Sequence, residues 1–322
     1  EIMNHLFPDT TYGCESGGDP KNIPDLTYEN FLNFHRTYYH PSNSYIYLYG
    51  NMDMEEKLAF LDEHYLSHFD YLDVDSVIQE QKAFGACRDV TLEYPVAENE
   101  GEEDNTYLSY NMVVGNAADS QMAMAFEVLD YALLSAPGAP LKQALLDVKA
   151  GKDVYGSYDD GILQPYFTVI AKGSNPDRKE EFVSVIRQVL GDIVKNGIDK
   201  KAVEAGINYF EFRYREADFS SYPKGLMYSL DILGDWLYEK GNPFAQVQQL
   251  TVFEKLKKAV KEGYFEELIR KYLLENRHGC IMTLVPKKGL AAQREKELEE
   301  KLEAYRSSLS EEQLDAMVEK TK

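Results

Sequence analysis

Apolar residues along this chain recur with two different spacings, and each spacing predicts a different element. Leu58, Leu61, Tyr65 and Leu66 make a helical stripe within residues 54–69. Just upstream, the run Tyr45, Ile46, Tyr47, Leu48, Tyr49 is closed by Gly50 and Asn51, as a strand ending in a turn should be. Thr27 is placed to cap a helix running toward Tyr39, and Pro41 stops it. One helix, one strand and one helix cannot bury a sheet face alone. The strand is therefore expected to find its partners elsewhere, and a missing upstream part is the obvious source. Unpaired edges tend to pair with something, so the first twenty or so residues are expected to be disordered or to meet another molecule.

Residues 88–96 and 106–114 are rich in apolar and β-branched side chains and predict a hairpin-like pair of strands. Between them lie Glu93, Glu98, Glu100, Glu102, Glu103 and Asp104 with no basic residue, the composition of a solvated loop. Asp119 then caps a helix carrying Met122, Ala125, Phe126, Leu129 and Leu133, which Pro137 and Gly138 break before a shorter helix starts near Pro140. Two more strands are expected at 153–158 and 164–172, joined by a turn at Asp159, Asp160 and Gly161. Pro176 opens a helix through Phe182, Ile186 and Leu190 that Asn196 and Gly197 end. Further helices are predicted at 199–218, 223–239 and 252–274, followed by a closing strand at 279–285 that stops at Pro286. Beyond Lys287 the chain turns highly charged. Ser310 and Gln313 form a capping box there, and a helical hairpin on the surface is expected.

Composition narrows the function classes. No run of about 18 apolar residues appears, so no membrane span is predicted. The formal net charge of −21 leaves too little positive field for a phosphate backbone, which argues against nucleic acid and favours basic ligands, or simply solubility. Cys14, Cys87 and Cys280 are odd in number and far apart, so neither a disulfide framework nor a thiolate zinc site is expected. The first residues show neither an initiator Met nor a secretory signal. A piece of a longer chain is expected, located in a bacterial cytoplasm or an organelle matrix.

The stretches SGGDPKNIPDLT, HPSN and GNMD, together with APGAPLKQALLD, GSYDDGILQPYFTVIAKG and NRHGCIMTLVP, resemble the presequence-protease subfamily of the pitrilysin, or insulinase-type, zinc metallopeptidases. The resemblance runs over essentially the whole chain. It implies an α+β fold: a mixed, largely antiparallel sheet covered by helices, with a partial first domain and a C-terminal helical arm. Residues 1–82 would end the catalytic-type domain, 83–286 would form a second, noncatalytic domain, and 287–322 a linker or arm. The whole enzyme would degrade short unstructured peptides inside a closed chamber between two halves. Its zinc would be held by an H-x-x-E-H helix and a distal Glu. None of the six histidines sits in that motif, so the site is expected upstream of Glu1, with no zinc and no activity in these residues alone.

Candidate chemistry within the chain is sparse. His64 and His68 are four residues apart, yet HYLSH has no Glu and no evident third ligand. His35 and His40 are five apart and rotate away from each other on a helix, and His40 is better placed to fix the turn before Pro41. The loop Ser16, Gly17, Gly18, Asp19 permits close backbone approach to a peptide, or is a tight turn before Pro20 and Pro24. No phosphate loop and no nucleophile elbow occurs. Tyr107, Tyr110, Tyr155, Tyr158 and Tyr166 fall on predicted strands, where they would pack the sheet or line a chamber wall. The alternative to the peptidase reading is a noncatalytic peptide-binding or structural subunit of the same fold.

Overall fold

The computed structural model of the chain describes residues 1–238 and 243–321. Five strands form one sheet: β1 (Arg88–Pro95), β2 (Thr106–Val113), β3 (Asp153–Asp159), β4 (Tyr166–Ser174) and β5 (Gly279–Lys287). Their order is β1-β5-β2-β4-β3. β1 and β5 are parallel, with Arg88 opposite Cys280, and every other pairing is antiparallel. The α+β expectation and its largely antiparallel sheet are met. The hairpin-like pair is not, because β5 lies between β1 and β2. The charged connection between these strands is long enough to step over a strand, and strands lie only about 4.8 Å apart. Nor does β5 stop at Pro286, which is opposite Tyr94. The β2 ladder has already ended at Leu284, so the missing proline N–H leaves no bond unmade on that side.

The helices before the sheet are α1 (Ile2–Leu6), α2 (Tyr28–Tyr38) and α3 (Met54–His64). Those within and after it are α4 (Ser120–Asp130), α5 (Pro140–Asp147), α6 (Lys179–Asn196), α7 (Lys200–Glu216), α8 (Lys224–Trp236), α9 (Leu250–Ala259), α10 (Tyr264–Leu268), α11 (Leu290–Ser307) and α12 (Glu311–Thr321). Their starts follow from cap chemistry. Thr27, Asp53 and Asp119 accept from the backbone N–H groups of Asn30, Glu56 and Met122 at 3.0–3.1 Å. The capping box closes as predicted, with Ser310 N donating to Gln313 at 2.9 Å and Gln313 N to Ser310 at 3.2 Å. The expected 252–274 helix is interrupted by Gly263, at φ +76°, and ends in a π-helical turn, Ile269–Leu274. The 223–239 helix is Lys224–Trp236, with residue 239 outside the described residues.

One face of the sheet meets the helix layer. Leu108, Tyr110 and Met112 of β2 and Phe167, Val169 and Ala171 of β4 pack on Phe126, Phe182, Ile186, Phe253 and Phe265. Tyr110 is fully buried, and its hydroxyl donates to the Leu273 carbonyl at 2.5 Å, tying the sheet to the π-helical turn. That burial pushes its phenol up to about 12. Helix α7 reaches α4 because position 206 is glycine: a Cβ there would sit 3.1 Å from Tyr131 and 3.3 Å from Val128.

The opposite face is closed by the first residues of the chain. Leu6 and Phe7 are fully buried and join Val113, Ile162, Tyr166, Cys280 and Met282 in a second, smaller core. The expected disorder at the start is thus not found at these positions. Residues 45–49, in contrast, form no strand. They have no neighbouring strand to complete a ladder, and Tyr45 and Tyr49 instead contact Trp236 and Tyr228 at 4.6 and 6.0 Å between ring centroids. The surrounding segment leaves large apolar side chains in water, Tyr28 at 76% and Phe31 at 65% exposure.

Acidic side chains are gathered where α4, the β3–β4 turn and α8 approach. Burial, reinforced by Asp160 and Asp130 and opposed by Arg213, pushes the Glu127 carboxyl up to about 7. Asp130, Asp160 and Asp231 are also raised, chiefly by burial. A carboxyl with a raised folded-state pKa binds its proton more tightly folded than unfolded. Its contribution to stability is therefore fully present below the ordinary Glu range and is lost as pH rises through about 7.

Glu127→Gln is expected to gain on the order of 1–3 kcal/mol relative to the parent chain at pH 8 and little at pH 4.5. Urea unfolding at the two pH values measures this, and an equal gain at both would contradict the assignment. Phe7→Ala should lower stability by about 3–5 kcal/mol, since it empties the centre of the second core. A loss below 1 kcal/mol in the same assay would mean that the N-terminal strap is not held there.

Candidate functional site

The N-terminal strap is fastened by bonds that its own helix end requires. The last carbonyls of a helix have no partner within it. The Leu6 carbonyl lies 2.9 Å from His278 Nε2, and the His5 carbonyl accepts from Arg88 Nη1 at 3.1 Å. A carbonyl can only accept, so Nε2 carries the proton. Burial holds the His278 pKa below its ordinary value, which keeps the ring neutral. Phe84 packs on both latching groups, 3.9 Å beneath the Arg88 guanidinium and 4.5 Å from the imidazole centroid.

Beyond the latch the strap doubles back. Asn4 donates to the Gly13 carbonyl at 2.7 Å, and a Cβ at Gly13 would stand 2.6 Å from the Phe7 carbonyl oxygen, so only glycine allows this closeness. Gln81 is buried and links three segments: it donates to Asp9 Oδ2 at 2.7 Å, accepts from Asp9 N at 2.9 Å, and its backbone N–H reaches Gln164 at 2.6 Å. The Tyr12 hydroxyl is 2.6 Å from that of Tyr238 and accepts from Leu163 N at 3.3 Å.

The strap covers only part of the sheet. A cavity of about 440 Å³ remains between Ile2, Met3 and Tyr12 above and Tyr107, Ile170, Met282 and Leu284 below. Its floor includes Ser109, whose Oγ accepts from Asn111 at 2.8 Å. Asn111 also donates to the Cys280 carbonyl at 2.8 Å and accepts from Thr168, so the buried polar groups of this face satisfy one another. Burial, with Asp159 beside it, raises the Tyr166 phenol, and the hydroxyl donates to Asp159 at 3.0 Å. Cys280 is pushed up to about 12 by burial and stays a thiol, a packing group rather than a nucleophile. A concave, mainly apolar lining with a few polar groups at the rim has the composition of a recognition pocket.

Of the four loop residues expected to contact a peptide, Ser16 lines this cavity, beside Cys14 and Glu15. Gly17, Gly18 and Asp19 do not belong to its lining. Gly18 has φ +80° and open space around it, and Asp19 folds back to accept from Lys21 N at 3.0 Å, so these residues form a turn in water. Tyr107 and Tyr166, expected on strands that pack the sheet or line a wall, are in the lining, whereas sequence reading did not single out Ile170 and Leu284. Their signal was the strand alternation, which puts them on the face away from the helix layer.

The histidines do not assemble. His64 ends α3 whereas His68 lies on the separate turn Leu66–His68, and His40 Nδ1 accepts from Ser42 N at 3.1 Å, fixing the turn at Pro41. Among the described residues no group of three or more His, Cys, Asp or Glu is placed to hold a metal ion.

Comparison with known proteins agrees with this architecture. Residues 25–210 match the family described as Peptidase M16 inactive domain. Over 322 residues the chain is 44% identical to protein HypA of Clostridium perfringens, covering all of this chain and 33% of that protein. It is 34% identical over 317 residues to presequence protease 1, chloroplastic/mitochondrial, of Arabidopsis thaliana, covering 96% of this chain and 29% of the relative. The chain thus spans about a third of the length of the curated relatives it matches. Among solved structures, a protease from Helicobacter pylori superposes with a TM-score of 0.69 at 15% identity, over 88% of this chain and 65% of that one, a likeness of fold. With more than half of its residues matched by one family description and its fold shared with M16-like structures, the chain belongs to the M16, or pitrilysin and insulinase-type, peptidase family.

Proposed function

We propose that these residues are an internal part of a zinc-dependent M16 peptidase that degrades short unstructured peptides within a closed chamber, and that they supply scaffold and chamber wall. The observation that carries this reading is the extent of the match: 96% of the chain aligns with a presequence protease at 34% identity while covering 29% of it. In this reading residues 1–82 finish the catalytic-type domain, 83–286 form the noncatalytic domain, and 287–322 lead toward the other half. The zinc, its ligands and the general base belong to the rest of the parent chain. The large apolar side chains left in water along residues 23–77 favour this, since isolated proteins rarely expose so many together.

The chain's role is then mechanical and electrostatic. The helix-backed sheet gives a rigid wall, and the net charge of −21 draws in basic peptides. Ser16 and its loop are proposed to meet the peptide at the rim of the strap cavity. A soluble compartment, bacterial cytoplasm or organelle matrix, suits the mitochondrial and chloroplast naming of the relatives. No helix among the described residues is long and apolar enough to cross a membrane. The second reading, a noncatalytic peptide-binding subunit, draws on the description of the matching family as an inactive domain.

Zinc content and hydrolysis of an unstructured basic peptide should be compared between this chain and one extended upstream by the neighbouring coding sequence. The expected result is one zinc per chain and chelator-sensitive cleavage in the longer protein only. Absence of both from the longer protein would overturn the peptidase reading in favour of the subunit.

A further inference from the structure

We propose that the free edge of β1 takes up an extended peptide segment without acidic side chains as one further strand of the sheet. This rests on the peptide-handling reading above and names the place on its wall where a peptide would lie.

Hydrogen-bond direction identifies the free groups. In a parallel ladder alternate residues of a strand turn their N–H and C=O toward the neighbour. Val96 N donates to the Lys287 carbonyl at 3.4 Å, which continues the β1–β5 register and sets the alternation. Arg88, Val90, Leu92 and Tyr94 therefore face β5, and Asp89, Thr91 and Glu93 face away from it. These three are exposed, and no backbone–backbone bond of the described residues uses their outward groups. The strand has no bulge and its proline stands at the far end, Pro95, so nothing interrupts the three positions. At the opposite edge of the sheet, on β3, the Val154 N–H is already taken by the Asp153 carboxylate at 2.8 Å.

The side chains flanking this edge select its occupant. Val90 and Leu92 pack on the second core, and Tyr94 meets Tyr107 edge-on at 5.7 Å between centroids, so one side of an added strand finds an apolar border. On the other side Asp89 and Glu93 are each held by a lysine, Lys179 and Lys287, both at 2.7 Å. That border is charge-balanced, and a further carboxylate is what it refuses. A second copy of β1 would bring one. Laid antiparallel, with outward residues facing outward residues, full overlap sets Asp89 opposite Glu93 of the second copy at two places, and like charges directly opposite destabilise a sheet. A peptide rich in Val and Thr makes the same backbone bonds without that conflict.

The test is residue-resolved amide hydrogen exchange with and without acetyl-Lys-Thr-Val-Thr-Val-Thr-Lys-amide. Asp89, Thr91 and Glu93 are expected to exchange as free amides in the chain alone and at least about tenfold more slowly with saturating peptide, while Leu92 and Tyr94 stay protected throughout. Thr91→Pro removes an outward donor without touching a bond to β5, and should weaken binding of the fluorescently labelled peptide at least about tenfold. Glu93→Pro serves the same purpose if the first variant misfolds. Glu in place of each Thr of the peptide should weaken binding several-fold. Absence of binding, binding that leaves the three amides free, an unchanged affinity in a folded proline variant, or equal affinity for the Glu peptide overturns the proposal. So does slowing of these amides without peptide, whether it follows chain concentration, as pairing with a second copy would, or arises in the upstream-extended chain, as pairing with its own residues would. Zinc-dependent cleavage by the longer chain with the three amides still free sinks the edge and spares the peptidase reading; protection without cleavage does the reverse.

Discussion

Burial of the second sheet face by the chain's own beginning is the constraint on which this structure depends. Helices α4, α6, α7 and α9 shield one face of the five strands, as an α+β layer arrangement requires. The other face carries Val113, Tyr166, Cys280 and Met282, too apolar to leave in water. A five-residue helix cannot hold itself together in isolation. It is retained here because Leu6 and Phe7 are buried beneath it and because His278 and Arg88 bind the carbonyls at its end. The cavity is the part of that face that residues 1–13 leave uncovered.

The strap also explains how polar groups are tolerated so near a core. Asn111, Ser109 and Thr168 occupy the middle of the sheet face, and each is satisfied by another or by a backbone carbonyl. His278 stays neutral through burial and spends its one N–H on Leu6. The acids around Glu127 behave differently. Burial, with Asp160 and Asp130 beside it and Arg213 opposing, raises the Glu127 carboxyl.

Much of this was legible in the sequence because caps and strand alternation are local. Thr27, Asp119 and Ser310 with Gln313 announced their helices, and each makes the bond expected of it. Strand pairing was not local, and there the reading failed: nothing near residues 88–113 indicates that the strand from 279 inserts between them. Residues 45–49 show the converse, a strand-forming pattern that has no neighbour to pair with and so remains irregular. In the candidate site the Ser16 loop drew notice through its glycines, whereas the walls come from three strands distant in sequence. Only the fold brings Tyr107, Ile170 and Leu284 together.

The position of β5 has a temporal consequence. Of the five strands it comes last in sequence, and it is the neighbour of both β1 and β2. As the polypeptide leaves the ribosome, β2, β4 and β3 can pair among themselves while β1 waits without a partner for nearly two hundred residues. Over that interval the strap has no Cys280 or Met282 to lie on and no His278 to hold it. Synthesis of β5 therefore completes the sheet and fastens Leu6 and Phe7 in the same event, a late step of assembly.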